Sequence, residues 1–327
     1  VTVATAPSTD MQTVLPPSGV LLIDKPEGWT SHDVVAKVRR LLKTKKVGHT
    51  GTLDPMATGV LPVCIGDGTK VAGIAQAADK VYEVTMQLGV STDTLDRTGT
   101  VLTTTALDEG VDWPTKVRQQ LTAFTGDLMQ TPPMYSAVKM GGEALYKKAR
   151  RGETVERAPR PVTIHAITDV QMSIPEVRFT VACSKGTYIR TLAADIGEAL
   201  GVGAHLTALR RTRCGSAQIA NAVTMAHLTE LAENGDPRES LHPEDHLLDD
   251  LPLIRVSEQT AARMVQGIAP QFSELTVEPH PTSPDGQIAP GTLCRATGET
   301  RGFFALLETG TDPDSPARIR RIIKTRV

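Results

Sequence analysis

One carboxylate stands out by its surroundings. Asp54 lies in Gly48-His49-Thr50-Gly51-Thr52-Leu53-Asp54-Pro55-Met56-Ala57-Thr58-Gly59, with three glycines and one proline in twelve residues. That composition is a loop. An aspartate in such a loop can be a turn former or helix cap. It can also be a nucleophile or base if its neighbours keep it ionised in a dry pocket. Two other side chains invite chemistry. Tyr82 belongs to Lys80–Gly89, where Tyr82, Val84, Met86 and Leu88 share one face of a strand and Glu83, Thr85 and Gln87 the other. Tyr82 therefore points with the buried set, as a core ring or as a ring that stacks on a ligand. Arg190 opens the amphipathic helix predicted over Thr187–Leu200. A cation there opposes the helix dipole, and this local conflict suggests a specific partner. Hydrolysis of a glycosidic bond would call for a second carboxylate. Asp24, Asp67 and Asp195 are the nearest in motif terms, and each sits comfortably as a strand-end, turn or helix-face residue.

The elements that must position these groups can be read coarsely. Val20–Asp24 is a short buried strand running into the turn Lys25-Pro26-Glu27-Gly28. Thr30 or Ser31 caps a helix with Val34, Val35, Val38, Leu41 and Leu42 on one face and basic residues on the other. Thr58–Ile65 is a short apolar strand, and Pro114 starts a helix over Trp113–Phe124. Residues 126–160 hold Pro132-Pro133, Gly141-Gly142 and many cations with few apolar residues, which reads as a protruding, partly mobile loop or hairpin. Val162–Met172 and Val177–Cys183 alternate as strands, joined to the Arg190 helix by the turn Ser184-Lys185-Gly186. After Pro252 the pattern restarts. Ser257 caps a small helix with Ala261, Ala262, Met264 and Val265 inward, and strands follow at 292–296, 302–307 and 319–324.

The chain has 327 residues, 40% of them hydrophobic, enough for a large domain and a small one. No apolar run approaches the ~18–20 residues that cross a membrane. Residues 1–18 have neither a basic nor an apolar stretch and read as a disordered leader rather than a signal peptide. The four cysteines are far apart with no CxxC pair, which argues against zinc and disulfides and for a reducing cytoplasm. Net charge is −2, yet residues 230–250 hold eight acids against Arg238 alone, so that segment is −7 and the remainder +5. Cations cluster at 37–46, 147–160, 210–213 (Arg210, Arg211, Arg213) and 318–326. Solvated faces explain any one cluster, whereas four beside turn-rich motifs suggest phosphate contacts. Lys70 is a further candidate phosphate contact.

Five segments, in order, resemble the bacterial tRNA pseudouridine-55 synthase family of TruB type: Asp24–Ser31, Gly48–Gly59, Lys80–Gly89, Pro132–Lys139 and Ser184–Leu192. The resemblance covers roughly residues 19–215. It implies an α+β pseudouridine-synthase fold: a large mixed, mostly antiparallel sheet with flanking helices over residues 19–229. Residues 126–160 would be a thumb-like RNA-gripping insertion and 230–251 an acidic linker or insertion. Residues 252–327 resemble, on size, position and strand pattern, a PUA-type RNA-binding domain. Asp54 matches the catalytic aspartate, Arg190 the arginine that keeps it ionised, and Tyr82 the tyrosine that stacks on the target base and takes part in proton removal from C5. Tyr188 and Leu209 match uracil-pocket positions. His49 matches the histidine that engages the RNA loop, and Lys25 with Pro26 shapes the floor under Tyr82. The implied substrate is the T stem-loop of tRNA, acted on by a cytoplasmic monomer with no cofactor, metal, guide RNA or membrane. Three other functions fit parts of the sequence. They are an RNA-binding or tRNA-folding module in which Asp54 is idle, a nucleoside hydrolase, and a guide-dependent synthase, against which the basic insertion argues.

Overall fold

The computed structural model describes residues 16–281, 286–310 and 315–323. The expected leader therefore falls mostly outside the described residues. Ser18 at its end is held, its Oγ accepting from Asp67 N at 2.9 Å.

In chain order the strands are β1 (Gly19–Lys25), β2 (Val47–His49), β3 (Thr58–Ile65), β4 (Lys80–Leu88), β5 (Val90–Thr92), β6 (Val101–Thr104), β7 (Gly126–Gln130), β8 (Lys139–Met140), β9 (Glu143–Ala144), β10 (Arg160–Ser173), β11 (Glu176–Cys183), β12 (Ala204–Cys214), β13 (Ala217–Gln218) and β14 (Val223–Thr224). Ten of these form one sheet in the order β14-β1-β3-β12-β4-β11-β10-β7, with β2 on β3 and β13 on β12. Only β1/β14 and β3/β12 run parallel, so the sheet is mixed and mostly antiparallel, as expected. The hairpins β5–β6 and β8–β9 stand outside it.

The alternation read in Lys80–Leu88 is what seats β4 at the centre. Tyr82, Val84, Met86 and Leu88 are buried, and β11 sets Val181, Phe179 and Val177 opposite the first three. Helices α1 (Ser31–Leu41), α2 (Ala72–Ala75), α3 (Trp113–Ala123), α4 (Leu145–Arg150), α5 (Ile189–Ala199) and α6 (Met225–Asn234) lie between the strands in sequence. The core on the Tyr82 face takes Val34 and Val38 from α1, Val117 and Leu121 from α3, and Leu192 and Ile196 from α5. Each such side chain contributes about 1.5–3 kcal/mol by leaving water. Thr30 caps α1 in a capping box with Asp33, accepting from Asp33 N at 3.1 Å while Asp33 Oδ2 accepts from Thr30 N at 2.8 Å.

The second sheet is β15 (Leu253–Val256), β16 (Thr276–Val277), β17 (Leu293–Gly298), β18 (Gly302–Glu308) and β19 (Arg318–Ile322), in the order β16-β15-β17-β18-β19, with helix α7 (Glu258–Val265) against it. Ala261 and Met264 face inward, whereas Val265 is 46% exposed, one residue past the helix's packed stripe.

Two boundaries differ from expectation. The thumb-like insertion is narrower than 126–160, because Gly126–Gln130 pairs with Arg160–Ile164 inside the main sheet. Segment 230–251, expected as an acidic linker or insertion, is packed. His242 forms a bridge with Val20 at the sheet edge through N–H···O bonds of 2.9 and 2.8 Å. Leu247 is buried with Val20 and Leu22, and Leu248 with Val71, Phe303 and Leu306. Its acids also have a use: Arg295 of the second sheet pairs with Asp249 at 2.8 Å and Asp245 at 3.4 Å.

Candidate active site

Asp54 lies between β2 and β3 in a loop held from below. Ser31, at the start of α1, accepts from Leu53 N at 2.9 Å and donates back to Leu53 O at 3.3 Å, both bonds buried. Lys25 is fully buried, and its Nζ donates to Trp29 O (2.7 Å), Pro26 O (2.9 Å) and Pro55 O (3.4 Å). It thus ties the turn after β1 to the residue beside Asp54. Burial lowers its pKa to about 8, while the Asp54 charge opposes that shift.

Arg190 reaches Asp54 from the first turn of α5. Nε lies 2.9 Å from Oδ2 and Nη2 donates to Oδ1 at 3.0 Å, a bidentate pair with the guanidinium 5% exposed and the carboxylate 33%. Two further donors go to Thr94 O at 3.0 Å and Tyr135 O at 2.8 Å. A second acid, Asp96, stands 3.8 Å away. It is buried and accepts from Thr94 Oγ1 (2.8 Å), Thr98 N (2.9 Å) and Thr98 Oγ1 (2.6 Å). The helix-start conflict at Arg190 is resolved by these partners. Burial raises the Asp54 carboxyl above its usual value, and Arg190 is the strongest group pulling it back.

Above the pair opens a cavity of about 350 Å³ lined by Asp54, Tyr82, Tyr188, Arg190 and Leu209, a volume suited to a nucleoside-sized ligand. Tyr82 lines it from β4, and burial pushes its phenol up to about 12. Leu209 lines the cavity from β12 and also belongs to the core. Tyr188 precedes α5 and is fixed by Gln130 at the end of β7. The Gln130 amide accepts from Tyr188 N at 2.7 Å and donates to Tyr188 O at 3.0 Å.

The other predicted residues lie outside the cavity wall. His49 ends β2, its Nδ1 accepting from Gly51 N at 3.3 Å and its ring edge-on to His32 at 5.6 Å. Lys70 is elsewhere: Nζ donates to Ile322 O at 3.0 Å and pairs with Asp67 at 3.4 Å, joining the two sheets. The 210–213 cluster also divides. Arg210 is bidentate on Asp24 at 3.0 and 2.8 Å, Arg211 is buried beside Tyr82, and only Arg213 is exposed. Sequence reasoning missed Asp96, Gln130 and Arg211 as site residues. Thr94-Leu95-Asp96-Arg97-Thr98 could have flagged Asp96, since hydroxyls flanking an aspartate form a ready cradle. Among the described residues no group of three or more His, Cys, Asp or Glu is arranged to hold a metal, and no helix is long and apolar enough to cross a membrane.

Comparison with known proteins meets this geometry. Residues 39–189 match the model for the TruB family pseudouridylate synthase N-terminal domain, and 190–251 that for the tRNA pseudouridylate synthase B C-terminal domain. The chain is 49% identical over 264 residues to tRNA pseudouridine synthase B of Burkholderia mallei (strain NCTC 10247), covering 80% of this chain and 85% of that protein. It is 48% identical over 254 residues to the Ralstonia pickettii (strain 12J) protein of the same name, covering 76% and 78%. Among solved structures, a chain of a Cbf5-Nop10-Gar1 complex superposes with a TM-score of 0.72 at 26% identity, covering 94% of this chain and 85% of that one. The chain belongs to the TruB family of tRNA pseudouridine synthases, enzymes that isomerise uridine to pseudouridine.

Proposed function

We propose that this protein converts uridine 55 in the T loop of tRNA to pseudouridine, with Asp54 as the reacting carboxylate and without cofactor or guide RNA. The observation that carries the proposal is the bidentate Asp54–Arg190 pair at the floor of the 350 Å³ cavity. The reaction breaks the bond from ribose C1′ to uracil N1, rotates the base, forms C1′–C5 and moves the C5 proton. Atoms and electrons balance within the nucleotide, so the enzyme has to supply position and charge. Asp54, ionised and oriented by Arg190, acts at C1′, at C6 or on a ribose proton. Tyr82 stacks on the base, and Tyr188 and Leu209 enclose it. His49, at the cavity's approach, engages the loop from which the base leaves.

Extruding that base costs a few kcal/mol, offset by stacking and phosphate contacts. The insertion 131–159, with Lys147, Lys148 and Arg150 on its helix, supplies such contacts in this reading. The 252–323 sheet domain acts as a PUA-like RNA-binding module, and the enzyme works as a cytoplasmic monomer. An assembly-dependent reading takes support from the likeness to a chain of a multi-protein complex.

Tritium release from a T-arm stem-loop labelled at uridine C5 separates the readings. Release by the isolated wild-type chain, and none by Asp54→Asn, is expected. Bound RNA with no release by either protein would leave only an RNA-binding module. Release that requires added proteins or guide RNA would favour the assembly.

A further inference from the structure

Gln130 is the last residue of β7, opposite Arg160 of β10, where the insertion leaves the sheet. It is 4% exposed, and an amide so deep in the protein needs partners for both of its ends. It takes both from Tyr188, accepting from the Tyr188 N–H at 2.7 Å and donating to the Tyr188 carbonyl at 3.0 Å. The side-chain amide thus stands in for the peptide of a neighbouring strand. Tyr188 is extended (φ −100°, ψ 106°) and is the N-cap of α5, yet its own side chain makes no capping bond. Its carbonyl also accepts the first helical bond, from Leu192 N at 3.0 Å. Gln130 therefore grips the residue at which the chain turns into α5. Two residues on stands Arg190. The helix dipole does not favour a cation there, so the seat of its fork on Asp54 depends on what fixes the turn. A second contact comes from the same stretch, since Arg190 Nη2 donates to Tyr135 O at 2.8 Å. Between Gln130 and Tyr135 the chain runs through Pro132 and Pro133, both buried, whose rings fix φ. Residues 130–135 form a stiff brace against the first turn of α5.

We propose that Gln130 is a positioning residue for the isomerisation: its amide fixes the start of α5, so that Arg190 meets Asp54 with both arms of its fork and Tyr188 keeps its place in the cavity wall. Glutamine offers an acceptor and a donor at once, which this backbone needs. Leucine fills similar space and offers neither. The effect reaches the reacting carboxylate through the helix start, since Gln130 itself touches only Tyr188 among the residues that line the cavity. This rests on the cavity being the catalytic site.

The test is Gln130→Leu in single-turnover tritium release at saturating T-arm RNA, followed across pH, with RNA affinity measured in parallel. The step should slow about 10–100-fold with affinity within about twofold. Around Asp54, burial and Asp96 raise the carboxyl, while Arg190 and Lys25 lower it, Arg190 the more strongly. A loosened fork raises it further. The ionised form is lost as pH falls, so the acid limb of the rate should move to higher pH. A mere loss of folded protein would scale the whole profile and leave the limb in place. A rate within about twofold of wild type, an unmoved limb, or a loss carried by RNA affinity would each overturn the proposal. If Gln130→Leu does not fold, Gln130→Asn replaces it with the same expected outcomes, since asparagine keeps the amide but is too short to reach both Tyr188 groups. Failure of the catalytic-site reading shows separately, as an inactive wild type or an active Asp54→Asn.

Discussion

The Asp54 loop and the 131–159 insertion are both connections rich in Gly and Pro, yet they are held in opposite ways. The Asp54 loop is tied by buried side chains from distant elements: Lys25 to Pro55 O, Ser31 to Leu53, Arg211 to Gly51 O and Arg190 to Asp54 itself. The insertion is tied at its base, by Gln130 on Tyr188, by Tyr135 O on Arg190 and by the buried Leu145. Farther out, Arg151 pairs with Glu143 and Glu153 at 2.7 Å, with about half of its side chain exposed. Pairs of that kind contribute about 0–1 kcal/mol. The difference teaches that loop stiffness here comes from donors reaching in from elsewhere. One side chain, Arg190, belongs to both regions and joins the rigid one to the other.

The most severe way to break this arrangement is at its centre. Asp54→Asn keeps the shape and removes the charge, so turnover should fall about 10⁴-fold while RNA affinity and melting temperature stay near wild type. A residual rate above a hundredth of wild type would remove Asp54 from the chemistry.

Arg190→Lys should be next. It loses the fork on Asp54 and cannot serve Thr94 O and Tyr135 O at once, which should cost about 10²–10³-fold in turnover. The pH profile sharpens the case. Burial already raises Asp54 and Arg190 is the strongest group lowering it, so weakening that partner raises the carboxyl further. The reactive form is the ionised one, lost as pH falls through the pKa. The acid limb of kcat/KM should therefore move to higher pH in Arg190→Lys. An unmoved limb would mean that Arg190 does not control the Asp54 charge.

Lys25→Met tests the tethering itself. Three carbonyls lose a buried donor, of which Pro55 O keeps another from Gly28 N at 2.8 Å, and unsatisfied acceptors cost about 1–3 kcal/mol each, partly relieved by relaxation. Urea unfolding should show a loss of roughly 2–4 kcal/mol at unchanged m-value, with a smaller effect on rate than Arg190→Lys. A stability within about 0.5 kcal/mol of wild type would show that the other tethers suffice.

The same contrast explains what can be read from the sequence. Period-two alternation exposes β4 and the direction of Tyr82, and the conflict of a cation at a helix start flags Arg190. Arg211 groups with surface cations as long as strand β12 goes unrecognised. Once that strand is seen, Leu209 and Arg211, two residues apart, share its inward face. Lys70 and the acids at 245 and 249 are unreadable for another reason. Their partners, Ile322 and Arg295, are 252 and about 50 residues away in the chain, and no local pattern encodes such a contact.

The insertion should give the smallest effects. Lys147 and Lys148 lie on α4, outside the buried network. Changing both to Ser should leave stability within about 0.5 kcal/mol of wild type, since nothing buried loses a partner. The rate at saturating RNA should also hold, because the Asp54 loop does not depend on them. What should change is RNA affinity and its dependence on salt. Removing one cation from a phosphate lowers the slope of log K against log salt by about 0.7–0.9, so the pair should lower it by roughly 1.5. A slope equal to wild type would mean that these cations are merely solvated. A loss of rate at saturation would mean that the insertion reaches the Asp54–Arg190 pair through Tyr135, and that the two regions are mechanically one.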